Sequence, residues 1–194
     1  MKTDVITVTN AYDQIEKALI LTEKTAIYKE LSHKDTLTLR LLTEEMMSMV
    51  RSITGDIEGK FWIEDENKNF QLVLEVESDL SFDQRKQLVS ASSSGKNEAT
   101  KGFMGKIRAF FESDEGYPFY IEPVWETPGG LDTELTWSLA LYREQIRESM
   151  KNKGDGAEEA WDELEKSVVS KLADDVKVSI RNSTVKLMIF KKIA

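Results

Sequence analysis

From Asn69 to Glu77 the chain alternates. Phe70, Leu72, Leu74 and Val76 share one face, while Gln71, Glu75 and Glu77 take the other. Successive side chains of a strand point to opposite faces, so this segment packs one side and wets the other. That pattern belongs to an antiparallel sheet covered by helices on one side only. A second strand, Gly59 to Glu64, precedes it across Asp65-Glu66-Asn67-Lys68, a polar turn that reads as a hairpin. The chain closes on another hairpin, Val176 to Ile180 and Val185 to Ile193, turning at Arg181-Asn182-Ser183-Thr184.

Helical periodicity fills much of the remainder. After a short strand at Val5 to Val8, Tyr12 to Lys29 places Ile15, Ala18, Leu19, Thr22 and Ala26 on one stripe. Asp35 or Thr36 can cap a second helix, in which Leu39, Leu42, Met46, Met49, Val50 and Ile53 recur until Gly55 ends it. Ala99 to Phe111 reads as helical. So do Thr133 to Lys151, with Leu135, Leu139, Tyr142 and Ile146, and Ala157 to Ala173, with Trp161, Leu164, Val168 and Leu172. Strands and helices do not alternate one for one, which disfavours a parallel doubly wound sheet. The expectation is an α/β (α+β) two-layer sandwich over residues 1–194, a single domain with a mixed, mostly antiparallel sheet. Its two hairpins share that sheet, and the helices lie on one face. No internal repeat is visible.

Composition removes several chemistries. The chain has no cysteine and one histidine, His33, so disulfides, thiol nucleophiles and Cys/His zinc clusters are excluded. His33 sits between Ser32 and Lys34 in what reads as a surface turn. A net charge of −9 argues against a nucleic-acid partner, which requires clustered excess Lys and Arg. The local exception, Lys96, Lys101, Lys106 and Arg108 against Glu98, reads as a solvated helix face. No stretch reaches the ~20 apolar residues of a membrane span, and Met1 to Asn10 lacks the apolar run of a signal peptide. The expected location is cytoplasmic. Ser90 to Asn97 offers Gly95-Lys96 but lacks the first glycine and the hydroxyl of a P-loop, and reads as a flexible loop.

One motif carries a resemblance. Leu39-Arg40-Leu41-Leu42-Thr43-Glu44-Glu45-Met46-Met47-Ser48-Met49 resembles the N-box helix of the histidine-kinase-type ATPases, nearest their anti-sigma-factor serine kinase branch. In that family the glutamate matching Glu45 orients a water or hydroxyl, and the position matching Met49 is an asparagine that holds magnesium. A thioether is a poor ligand for a hard cation. After the hairpin the family carries Asp-x-Gly-x-Gly, whose Asp reads adenine. This chain has Glu77-Ser78-Asp79-Leu80-Ser81, with Glu77 keeping the acid and Ser81 standing at a glycine position. Side chains there crowd the approach of phosphates, and losing the magnesium oxygen removes the charge neutralisation that phosphoryl transfer uses.

The resemblance therefore implies a histidine-kinase-like ATPase fold with degenerate boxes. It points to a regulatory protein that acts through a protein partner or self-association, with no cofactor. The alternative is an active ATP-binding regulatory kinase or ATPase of the anti-sigma-factor type, using Glu45, ATP and magnesium. Residues 117–152 exceed the family pattern. They hold Pro118, Pro123 and Pro128 with Tyr117, Trp125 and Trp137, and either form a partner surface or plug the vacated cleft.

Overall fold

The computed structural model describes residues 1–9, 11–54, 58–77, 135–152, 156–181 and 184–193. Among them, one six-stranded sheet is formed by β1 (Ile6–Thr9), β2 (Glu58–Glu66), β3 (Asn69–Glu77), β4 (Leu135–Ser138), β5 (Asp175–Arg181) and β6 (Thr184–Lys192). The spatial order is β1-β2-β3-β6-β5-β4, and each neighbouring pair is antiparallel. Both hairpins share the sheet, as the alternation requires. The expected parallel component of a mixed sheet is not found among the described strands.

The helices are α1 (Tyr12–Tyr28), α2 (His33–Thr54), α3 (Leu139–Lys151), α4 (Ala157–Lys166) and α5 (Val168–Leu172). Their buried side chains, such as Ala18, Leu39, Leu42, Met46, Ile146 and Leu164, join one core cluster with Phe61, Ile63, Leu72, Leu74, Val178 and Leu187. These strand residues all point to the same side of the sheet, as the ladders Phe61↔Leu74↔Leu187↔Val178 and Ile63↔Leu72↔Ile189 show. All the described helices thus cover one face. Each fully buried Leu or Phe contributes about 1.5–3 kcal/mol.

Local signals explain the element ends. Ser32 caps α2: its Oγ accepts from the Asp35 N–H at 3.2 Å and donates to Asp35 Oδ2 at 2.6 Å. The helix therefore starts at His33, two residues before the expected cap, and His33 is an exposed first-turn residue rather than part of a turn. α1 ends in a Schellman arrangement, with Leu31 N–H donating to Ala26 O and Glu30 N–H to Ile27 O. Glu30 sits there at φ 54, a left-handed position that usually takes glycine. The first hairpin turns on Asn67 and Lys68 alone, both at positive φ (51 and 63), so β2 runs on through Asp65 and Glu66. Gly59 is obligatory where β2 crosses β3, since a Cβ would stand 2.6 Å from the Glu75 carbonyl oxygen.

Two helix expectations fail. Leu135–Ser138 is an edge strand, not the first turn of a helix from Thr133. Ser138 turns the chain by capping α3, accepting from Leu141 N–H at 3.4 Å and donating to Asp175 Oδ1 at 3.2 Å. The segment Ala157 to Ala173 is broken at Ser167, which ends α4 and caps α5 by accepting from Ser170 N–H at 3.3 Å. In both cases a serine inside an apolar period of 3.6 competes for backbone groups. Residues 135–151, expected to belong to an extra block, supply β4 and α3 to the common sheet and core.

The element order β-α-α-β-β occurs twice, with the second helix of the second copy split. The two copies meet along β3 and β6, centred on the pair Val73↔Met188, so the strand order is symmetric about that pair. The hairpins correspond position by position, Asn69 with Thr184 and Glu77 with Lys192.

Candidate functional site

The residues picked from the N-box resemblance separate in space. Met49 is 3% exposed and packs in the core beneath the sheet, among Met46, Leu42 and the strand side chains. Glu45 is half-buried on α2, and Glu44 is exposed. Glu77 points from β3 in register with Glu75 and Val73, on the face opposite the core. It is exposed and stands 3.9 Å from Lys60. Met49 and Glu77 thus lie on opposite sides of the sheet. Ser81, Tyr117 and Trp125 lie outside the described residues, as do the P-loop-like stretch, the 96–108 basic run and the helix expected over 99–111. Trp137 is 2% exposed, in the core beside Tyr142 with ring centroids 6.0 Å apart, so it presents no ring to a partner.

The face opposite the described helices is built from the outward positions of the alternation, yet Trp62 and Val73 on it are buried, at 7% and 1% exposure. Across β2, β3, β6 and β5, one row reads Trp62, Val73, Met188, Lys177. The row beside it reads Lys60, Glu75, Lys186, Ser179, alternating in charge, and on the other side runs Glu64, Gln71, Phe190, Asp175. Opposite charges facing each other across strands hold register. Trp62 is the anchor. The Lys2 and Lys186 ammonium groups lie 4.5 and 5.7 Å from its ring centroid, and its indole N–H donates to Glu64 Oε1 at 2.8 Å. That indole bond, with Lys2 and Lys186 nearby, holds the Glu64 carboxyl below its usual range despite partial burial. Lys177 sits 5.7 Å from the Phe190 ring. None of these residues stood out in the sequence. The available signal was Trp62 in the register of Lys60 and Glu64, a large aromatic in a position that should face water.

At one corner of this face Thr7, Glu58, Gly59, Lys60, Glu75 and Glu77 border a cavity of about 390 Å³. Its acids do not form a metal site, since no group of three or more Asp, Glu or His among the described residues is arranged to hold an ion. At the hairpin end, Asp65 Oδ2 pairs with Lys29 Nζ at 2.6 Å with its carboxyl 4% exposed, while Oδ1 has no hydrogen-bond partner. Among the described residues no helix is long and apolar enough to cross a membrane. Comparisons with protein-family profiles, with curated proteins and with solved structures return no match to this chain.

Proposed function

We propose that this chain is a regulatory protein that works by binding another protein, on a histidine-kinase-type ATPase scaffold that has lost its nucleotide chemistry. The observation that carries the binding role is the set of exposed aromatic and aliphatic side chains along α1, since Trp62 and Val73 on the sheet face opposite the described helices are only 7% and 1% exposed. Exposed Tyr side chains are frequent anchors of protein interfaces. The α1 set includes Tyr12 (81% exposed), Ile27 (69%) and Tyr28 (74%). The scaffold reading is supported by the helix pair ahead of a hairpin and by the one-sided helix layer.

The loss of nucleotide binding draws support from placement. A bound ATP–magnesium needs its magnesium ligand and its adenine-reading acid on one site. Here the matching residues are a buried thioether, Met49, and Glu77 across the sheet. These residues do not fit the group, and no step is assigned through it. Two measurements test the reading. Thermal denaturation with millimolar ATP or ADP and magnesium is expected to show no shift; saturation at a hundredfold the dissociation constant would add about 2.7 kcal/mol and overturn it. Capture of a partner by the intact chain is expected to be lost in Ile27→Ala with Tyr28→Ala, both exposed, while the melting of the chain alone is retained.

A further inference from the structure

The chain carries a net charge of −9, yet three cationic side chains line a single cleft of about 400 Å³ between α3 and the α4–α5 pair. They are Arg143 and Arg147 from α3 and Lys171 from α5, with Trp161 and Leu164 forming an apolar wall. Arg143 is half-buried, and its guanidinium donates to the carbonyls of Ser170 and Asp174 and to Ser170 Oγ, the latter two at 3.4 Å. These acceptors are neutral. Among the described residues Arg143 has no carboxylate partner.

Arg147 lies 5.4 Å from the Trp161 ring centroid, which presents its charge along a flat apolar surface. Its acid partner is Glu144 at 3.7 Å, with both side chains more than half exposed. Exposed pairs of this kind are worth little and yield to a better placed carboxylate. Glu165, the one acid lining the cleft, is engaged by the Trp161 indole N–H at 3.0 Å. Glu158 and Asp162 on α4 are exposed nearby in the chain. These surrounding acids disfavour a long polyanion such as nucleic acid, which needs an unbroken cationic track, and leave room for one or two carboxylates.

We propose that this cleft docks an acidic segment of the partner protein, its carboxylates on Arg143, Arg147 and Lys171 and an adjoining apolar side chain on Trp161 and Leu164. This rests on the binding-protein reading above. Guanidinium groups accept carboxylates through paired N–H donors, and a stacked, partly fixed arginine loses less freedom on binding than a free one.

The test uses the full chain and three probes: a blocked hexapeptide carrying two adjacent glutamates and a leucine, its twin with glutamines, and inorganic phosphate. The glutamate peptide is expected to shift the NMR signals of the Trp161 indole and the Arg143 and Arg147 side chains, and to bind more weakly as salt rises. Arg147→Glu with Lys171→Glu is expected to weaken binding at least tenfold while melting like the parent; should that pair lower the melting temperature, Lys171→Gln alone is expected to weaken it severalfold. The proposal is overturned by equal binding of the glutamine twin, by phosphate moving the same signals equally, or by no shift at millimolar peptide. If the chain captures its partner through the exposed residues of α1 yet ignores the peptide, the cleft assignment falls and the binding reading stands. Stabilisation by ATP would remove the binding reading itself.

Discussion

In the first half, two long helices, Tyr12–Tyr28 and His33–Thr54, lie on three strands. In the second, Leu139–Lys151 and a helix broken at Ser167 lie on three matching strands. The hairpins share register, and their inward positions keep one character: Phe61 and Val176, Ile63 and Val178, Leu72 and Leu187, Leu74 and Ile189. The copies differ at the end of the core row and on the opposite face. Trp62, buried on the face opposite the described helices, corresponds to Lys177, and Asp65, on the core side and paired with Lys29, corresponds to Ile180. The cationic cleft belongs to the second helix layer and the exposed aromatics Tyr12 and Tyr28 to the first. A repeated framework thus fixes the fold twice over and leaves the unmatched positions free to diverge.

The largest expected effect tests whether the halves are energetically equal. Leu72→Ala and Leu187→Ala each remove a fully buried side chain at corresponding positions and should each cost about 2–5 kcal/mol. Urea denaturation followed by circular dichroism is expected to show one transition in both variants. A second transition confined to the Leu187 variant would break the equality and make the second half a separate unit.

A smaller effect sharpens the unmatched ion pair. Asp65→Ala strands the Lys29 ammonium, 26% exposed, and should cost about 1–3 kcal/mol. Replacing both, Lys29→Met with Asp65→Leu, should recover most of that loss in the same denaturation experiment, since a buried pair often gives way to apolar packing without penalty. Failure to recover would show that the carboxylate has work beyond pairing.

Glu30→Gly should stabilise by about 0.5–1 kcal/mol, because φ 54 is strained for any residue with a Cβ. Lys24→Gly, exposed in the interior of α1 and free of the Asp65 pair, provides the control and should lose about 1 kcal/mol instead. The remaining effect, read only at alkaline pH, lies in the second half. Burial first, then the nearby Glu163 carboxylate, pushes the Tyr142 hydroxyl up to about 12 from its ordinary 10.0. The raised value favours the neutral form in the fold. That contribution is complete below pH 10 and is lost as pH rises from about 10 to about 12. Tyr142→Phe should flatten the alkaline fall in stability over that window.

Period-two alternation placed both hairpins correctly, because a half-buried strand advertises its faces residue by residue. The duplication stayed hidden for the same reason: the shared requirement is apolar character at alternate positions, which Phe61 and Val176 meet without resembling each other. Trp137 was misread because Leu135, Leu139 and Tyr142 fit a helical stripe, and only Ser138 marks the corner between strand and helix. The cleft was illegible because Arg143, Arg147 and Lys171 lie on two helices whose meeting depends on the break at Ser167. Met49 could be judged chemically from its thioether, whereas its burial beneath the sheet required the fold.

The ladder between β3 and β6 joins Asn69 to Lys192 and Glu77 to Thr184. On the ribosome, β3 therefore emerges long before the strand that completes it. At roughly 5–20 residues per second, its open edge waits on the order of ten seconds in the cell. An unpaired central strand with Leu72, Val73 and Leu74 in its middle is a template for other nascent chains. Gln71, Glu75 and Glu77 along the same strand then act during synthesis, as charge and polarity that discourage wrong pairing until β6 is made.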